Sequence, residues 1–135
     1  MNFIDKAFEN KLRGDDFLQA MAEIYSEPDV EMILHKYPQF VKNVIIIIDY
    51  DTVFQMEGLE DVLWGSMEEK FSELLMALEH CGAKQDADIL RKAKNLTEEQ
   101  ENEFEDLKNK LAFQNDYEAF WDLVREYINQ ELDKI

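Results

Sequence analysis

The sequence has few of the residues from which small chemical sites are built: one cysteine, two histidines, four glycines and two prolines among 135 residues. A single cysteine cannot form a disulfide within the chain, so an apolar core must hold the fold, as is usual in a reducing compartment. The longest apolar runs have five residues, far short of the roughly 20 that a membrane-spanning helix needs. The first residues also lack the basic and apolar regions of a secretory signal. We therefore expect a cytoplasmic protein that does not contact a membrane.

The scarcity of glycine and histidine also argues against most catalytic and metal sites. The glycines stand apart, at positions 14, 58, 65 and 82, so no glycine-rich phosphate loop is present. His80 and Cys81 are neighbours, and adjacent positions on a helix point in different directions, which does not favour a metal site with them or with His35. We expect neither a metal nor another cofactor, and no enzymatic activity.

One calcium-like pattern occurs in the middle of the chain. Asp49, Asp51, Glu57 and Glu60 have the spacing of ligands in a calcium loop, but Phe54 occupies the position that requires glycine. Without that glycine the loop cannot make its sharp turn. The pattern therefore does not predict calcium binding.

Acidic residues are the dominant feature of the composition. Asp and Glu number 31 against 14 Lys and Arg, which gives a net charge of −17, while 46% of the residues are hydrophobic. That apolar content indicates a folded acidic protein and not a disordered acidic tail. Such a surface repels nucleic acid and favours basic protein partners, although it can also serve solubility alone.

The acidic residues are concentrated in two blocks. Residues 49–69 contain seven carboxylates and no lysine or arginine, and residues 97–107 contain six carboxylates and no basic residue. On the helix after Thr97, Glu98, Glu101 and Glu105 form one row and Glu99, Glu103 and Asp106 form another beside it. Like charges three or four positions apart on a helix each cost roughly 0.2–0.5 kcal/mol, so their presence favours a binding role. The candidate partner-binding residues are Asp49, Asp51, Glu57, Glu60, Asp61, Glu98, Glu99, Glu101, Glu103, Glu105 and Asp106.

The apolar spacing predicts an all-α chain. Residues 38–58 contain four consecutive isoleucines, which favour a strand by propensity. The apolar pattern nevertheless continues on both sides without a turn, and its length favours a helix. Because this helix is apolar on all sides, we expect it to be buried at the centre of the bundle.

Helix ends can be read elsewhere in the chain. Ser66 and Glu69, and again Thr97 and Gln100, have the spacing of a capping box. An aspartate of Gly14-Asp15-Asp16 is predicted to cap the helix that follows, Ser26 the next one and Asp116 the last, and a left-handed C-cap is predicted at Gly82. The helix after Thr97 is expected to continue to about Gln114. With no repeat and no linker, the chain reads as a single helical domain over residues 1–135, a multi-helix bundle.

Several segments carry a family resemblance. They include residues 49–51, 56–66 and 77–83 and the C-terminal pair Tyr127-Ile128, with Gly58, Ser66, Gly82 and Ala83 at matching positions. Over about residues 40–130 the chain resembles a family of small bacterial all-helical proteins that includes a double-stranded-DNA mimic. The resemblance implies an all-α fold and, as for that mimic, binding to a DNA-binding protein through carboxylates.

The sequence thus favours a noncatalytic acidic protein-binding domain, a DNA mimic that occupies the basic surface of a transcriptional regulator or nucleoid protein without binding nucleic acid itself. A toxin-neutralising protein or another interaction module is the alternative. A hydrolase that uses carboxylates near Asp49, Asp51 and Glu57 is a third hypothesis, which requires a cleft containing a carboxyl group of perturbed pKa.

Overall fold

The computed structural model describes residues 1–135 and contains helices and turns but no strand. The α-helices are α1 Phe3–Glu9, α2 Gly14–Met21, α3 Gln39–Glu57, α4 Leu59–Trp64, α5 Phe71–His80, α6 Lys84–Lys94, α7 Glu101–Lys110, α8 Ala112–Asn115 and α9 Tyr117–Leu132. Short 3-10 helices cover Ala22–Tyr25, Pro28–Lys36, Glu68–Lys70 and Glu98–Gln100. The predicted all-α class is confirmed. No helix combines the length and the apolar content that crossing a bilayer requires.

Helix α3 lies at the centre of the bundle. It packs against α2, α4, α5 and α9, and ten of its 19 residues are buried. Val44, Ile47 and Tyr50 have no exposed surface. Because helices surround the isoleucine run, its side chains are buried on every side without any strand partner. The predicted central buried helix is therefore confirmed.

Several predicted helix ends are also confirmed. Helix α3 begins directly after Pro38 and ends at Gly58, whose φ of 95° is one that glycine adopts without strain. Gly82 follows α5 with a φ of 96°, and the Ala83 amide donates to the Leu78 carbonyl at 2.8 Å, which closes the helix C-terminus. The Asp116 carboxylate accepts a hydrogen bond from the Ala119 amide at 3.1 Å and so caps α9.

The capping box predicted at Ser66 is wrong. A 3-10 turn, Glu68–Lys70, precedes α5, so that helix begins only at Phe71. The Ser66 hydroxyl points instead to the Glu57 carboxylate, to which it donates at 3.4 Å. A serine followed three positions later by a glutamate, as in Ser66 and Glu69, occurs both at helix starts and in this kind of turn. The spacing alone therefore could not distinguish the two.

Three other boundaries differ from the prediction. The residue that precedes α2 is Arg13, and Asp15 lies inside the first turn, so no aspartate caps this helix. The segment after Ser26 is a 3-10 helix preceded by Glu27, without a side-chain cap. Helix α7 ends at Lys110, because Leu111 adopts an extended conformation, with φ −62° and ψ 132°, before α8. The Thr97–Gln100 capping box is present, with the Thr97 amide donating to the Gln100 side chain at 3.0 Å.

Two buried polar side chains tie distant helices together. The Asn43 amide nitrogen donates to the Tyr127 hydroxyl at 3.0 Å and lies 3.1 Å from Nδ1 of His80, which joins α3 to α9 and α5. Asp86, only 1% exposed, accepts from the backbone amides of Ala112 and Phe113 at 2.8 and 3.3 Å. A carboxylate on α6 thus caps α8 from another part of the chain. Neither role follows from local spacing.

Replacing Tyr50 with phenylalanine is expected to stabilise the protein by about 1 kcal/mol. The Tyr50 hydroxyl is buried among aromatic rings and has no hydrogen-bond partner, and an unsatisfied buried polar group costs about 1–3 kcal/mol. Urea unfolding of Tyr50→Phe measures the change. Tyr127→Phe is the matched control, because it removes a hydroxyl that Asn43 does contact, and it should destabilise. A loss of stability in Tyr50→Phe would show that its hydroxyl is satisfied.

Candidate functional site

One glutamate of the first acidic block meets three glutamates of the second block on one side of the bundle. Glu60 on α4 and three glutamates of the second block, Glu98, Glu101 and Glu105, line one cavity of about 530 Å³. We call this the acidic cavity; its lining is Glu60, Trp64, Leu96, Thr97, Glu98, Glu101, Phe104 and Glu105. The row of Glu98, Glu101 and Glu105 predicted from helical spacing is thus brought together on one face.

Aromatic packing positions the two sides of the acidic cavity. Helix α6 packs against both α4 and α7. Across this arrangement the rings of Trp64 and Phe104 stack with their centres 5.9 Å apart and their planes 28° from parallel. Phe104 is buried, whereas Trp64 keeps 41% of its surface exposed. The stack places Glu60 and the glutamates of the second block around a shared apolar floor.

The carboxylates of the acidic cavity have no basic neighbours within ion-pair distance. None of Glu60, Glu98, Glu101 and Glu105 takes part in an ion pair, and no lysine or arginine lines the cavity. The ion pairs of the protein lie elsewhere, for example Lys94 with Glu68 at 2.7 Å and Arg125 with Asp15 at 2.9 Å. The negative potential of this side is therefore not neutralised within the chain.

The remaining candidates of the second block are exposed as well. Glu99, Glu103 and Asp106 lie on the solvent side of the same segment, and Glu103 accepts a hydrogen bond from the Gln100 side chain at 3.1 Å. Together with the cavity glutamates and the residues at the α3–α4 junction, they form what we call the acidic surface: Glu57, Glu60, Asp61, Glu98, Glu99, Glu101, Glu103, Glu105 and Asp106.

Crowding of like charges is visible at the α3–α4 junction. The pKa of Glu57 is raised, first by a hydrogen bond with the Asp61 carboxyl and then by the negative charge of Asp61. Glu57 keeps its proton more readily beside this group, because a neighbouring negative charge disfavours its ionisation. A cation bound near this pair would relieve the repulsion.

The pH dependence of stability should report this pair. Because the folded pKa of Glu57 is raised, its contribution is fully present below the pKa of an unfolded glutamate and is lost as pH rises through the raised folded value. The melting temperature of the wild type should therefore rise as pH is lowered through the raised pKa of Glu57 towards the ordinary pKa of glutamate, about 4.3. Glu57→Gln, which has no charge to lose, should show a smaller rise. Equal pH profiles for the two proteins would contradict the pairing.

Asp49 and Asp51, also predicted as partner-binding residues, are held by internal contacts. Asp49 accepts a hydrogen bond from the Tyr25 hydroxyl at 2.6 Å and lies 3.7 Å from Lys70. Burial, together with the hydrogen bond to Asp49, raises the pKa of Tyr25 to about 12. Asp51 accepts from the Tyr117 hydroxyl at 2.8 Å, and its other oxygen is buried. Both side chains stay partly exposed but already bond within the chain, so the acidic surface defined above does not include them.

The carboxylates of the hydrolase hypothesis do not share a cleft. Asp49 and Asp51 bond to different tyrosines and line different cavities, whereas Glu57 pairs with Asp61. No group of three or more histidine, cysteine, aspartate or glutamate side chains is arranged to hold a metal ion. Cys81 is buried, and burial raises the pKa of its thiol to about 11, which disfavours the reactive thiolate.

The aromatic floor of the acidic cavity was not predicted from the sequence. Trp64 precedes a glycine at the end of a short helix, and Phe104 belongs to the apolar stripe of α7. Because the two residues are 40 positions apart in the sequence, helical spacing could not predict that their rings stack. The available signal was a tryptophan placed inside an otherwise acidic segment, where a large aromatic side chain has no local packing partner.

Comparisons with known proteins identify a family. A family model described as DMP19-like protein matches residues 35–135, which covers α3 to α9 and every residue of the acidic surface. No curated protein and no solved structure has a significant match to the chain.

Proposed function

The chain belongs to the DMP19-like protein family, and from its acidic surface we propose that it is a noncatalytic binding protein that acts as a mimic of DNA. In this proposal the acidic surface occupies the basic surface of a DNA-binding protein, such as a transcriptional regulator or nucleoid protein. The observation that carries the proposal is that Glu60 of the first acidic block and Glu98, Glu101 and Glu105 of the second line one cavity that contains no basic residue.

The charge density of this surface is close to that of a duplex. Residues 98–106 carry six carboxylates over a 3-10 turn and two turns of α-helix, a length of about 13 Å. Duplex DNA carries one negative charge per ~1.7 Å of its axis, or about seven or eight over the same length. A protein that binds phosphates through lysine and arginine would meet a similar number of charges here.

The placement of the charges on helices supports binding more than solubility. A rigid helix holds its carboxylates at fixed spacings. The backbone that carries them therefore loses its conformational entropy when the protein folds and not when it binds a partner. The acidic residues could have been distributed evenly for solubility, but the ion pairs of the protein lie outside the acidic cavity. The acidic surface is therefore positioned to accept cations from another molecule.

Competition with DNA tests this function. The tagged wild type is incubated with lysate of the source cells at low and at moderate salt, and the retained proteins are eluted with duplex DNA. We expect the wild type to retain a DNA-binding protein that duplex DNA displaces. The quadruple variant Glu60→Lys, Glu98→Lys, Glu101→Lys and Glu105→Lys should not retain it.

Other results would overturn the mimicry. If the retained protein is one that binds no DNA and is not displaced by duplex, the chain is an interaction module of another kind, for example one that neutralises a toxin. If the quadruple variant retains the same DNA-binding protein as the wild type, the acidic surface is not the binding surface.

A further inference from the structure

The acidic cavity combines two features that a solubilising surface does not need. Its floor is apolar, formed by Leu96 and the stacked rings of Trp64 and Phe104, and its rim carries four carboxylates without ion-pair partners. Its volume of about 530 Å³ falls in the range of cavities that hold ligands, roughly 300–1,000 Å³. An occupant should therefore be cationic where it meets the rim and planar or apolar where it meets the floor.

Trp64 supplies the exposed aromatic surface of the acidic cavity. A tryptophan with 41% of its surface exposed leaves part of its ring without a packing partner, and indole faces attract cations by their quadrupole. A guanidinium group is planar and weakly hydrated, so it stacks on aromatic rings better than an ammonium group does. It also presents a fork of N–H donors that fits a carboxylate in a bidentate manner.

We propose that the acidic cavity receives an arginine side chain of the bound partner, with its guanidinium stacked on Trp64 and hydrogen-bonded to the glutamates of the rim. This inference rests on the proposed function and specifies its point of contact. Charge complementarity favours this occupant, because the cavity has four glutamates and no basic residue. The cavity then serves as the position that distinguishes arginine-rich surfaces from lysine-rich ones.

Short peptides test the selectivity directly. Three blocked pentapeptides that differ only in a central arginine, lysine or citrulline are titrated into the ¹⁵N-labelled full chain, and the indole N–H signals of the two tryptophans are followed by NMR. We expect the arginine peptide to shift the Trp64 signal saturably and to bind at least about threefold more tightly than the lysine peptide. Citrulline, which is similar in shape but uncharged, should not bind. The Trp121 signal should stay unchanged, because that ring is 6% exposed.

Variants separate the indole from the charges. Trp64→Ala should bring the arginine peptide down to the affinity of the lysine peptide, whereas Trp64→Phe should keep part of the preference. Leu123→Ala, which truncates a side chain of similar exposure on α9, is the matched control and should retain the full preference. Equal binding of arginine and lysine peptides, or an unchanged preference in Trp64→Ala, would overturn the inference. Tighter binding of spermidine than of the arginine peptide would also overturn it, in favour of a polyamine site.

The same variants distinguish this inference from the proposed function. Trp64→Ala keeps every carboxylate of the acidic surface. If it retains the DNA-binding partner as strongly as the wild type while the quadruple charge reversal loses it, the mimicry stands and the arginine site fails. If the arginine peptide binds selectively but no DNA-binding protein is retained, the site stands and the mimicry fails.

Discussion

Reversing the four cavity glutamates, in the variant Glu60→Lys, Glu98→Lys, Glu101→Lys and Glu105→Lys, is expected to weaken partner binding by about 4- to 700-fold. Each exposed ion pair contributes about 0.2–1 kcal/mol, so the four together contribute about 0.8–4 kcal/mol, and every 1.4 kcal/mol changes the dissociation constant tenfold. The measurement is the dissociation constant by calorimetry, with the DNA-binding protein identified by duplex competition.

A second quadruple variant has the same net charge as the cavity variant but carries its substitutions on another surface. Glu9, Asp16, Glu23 and Glu126 are exposed acids that do not line the acidic cavity, and reversing all four changes the total charge by the same amount. This control should weaken binding far less. If both quadruple variants lose the same affinity, long-range net charge and not the acidic surface governs association.

The salt dependence of partner affinity should differ between the two quadruple variants. Exposed charges are screened over about 8–10 Å at physiological ionic strength, so wild-type affinity should fall as salt is raised. The cavity variant should lose affinity with salt less steeply than the wild type, because fewer favourable charge contacts remain to be screened. The control variant should keep a slope close to that of the wild type.

Replacing Asp86 with alanine is expected to lower the free energy of unfolding by about 2–4 kcal/mol. The Asp86 carboxylate is buried and accepts hydrogen bonds from the Ala112 and Phe113 amides at 2.8 and 3.3 Å. Each buried donor left without a partner costs about 1–3 kcal/mol. The loss is partly offset, because burial raises the pKa of Asp86 and removing the residue also removes the cost of burying its charge. Urea unfolding followed by circular dichroism measures the change.

Asp88→Ala is the matched control for Asp86→Ala. Asp88 lies on the same helix, is exposed and pairs only with Arg91, at 2.9 Å, so its removal should cost less than about 1 kcal/mol. Asp86→Asn should fall between the two. The two amides bond to different oxygens of Asp86, and the NH2 group that replaces one of these oxygens cannot accept a hydrogen bond. If Asp86→Ala were no more costly than Asp88→Ala, the capping of α8 by Asp86 would not contribute to stability.

The predicted helix boundaries agree with the structure where a proline, a glycine or a capping aspartate stands at the helix end. Pro38 and Gly58 bound α3, and Asp116 and Gly82 stand at helix ends as predicted. The prediction failed at Ser66, because a serine followed three positions later by a glutamate is compatible with both a helix cap and a 3-10 turn. It also extended α7 by several residues, because the break at Leu111 depends on Asp86 from another helix.

For the candidate site, spacing predicted which carboxylates share a helix face but not what lies between them. The row of Glu98, Glu101 and Glu105 followed from the helical period, and all three line the acidic cavity. The contact of this row with Glu60, and the stacking of Trp64 on Phe104, could not be predicted. Asp49 and Asp51 looked equivalent to the other acids in the sequence, but tyrosines from distant segments hold both.

The sequence by itself determined the all-α class, the buried central helix and the two acidic blocks, because apolar period and charge are properties of neighbouring residues. Only the tertiary structure decided which acids face solvent together and which are held internally. Those outcomes depend on packing between helices that lie tens of residues apart, such as α4 and α7 on either side of α6. Local spacing carries no information about that packing, and it is the packing that brings Glu60 of the first acidic block and the glutamates of the second around one aromatic floor.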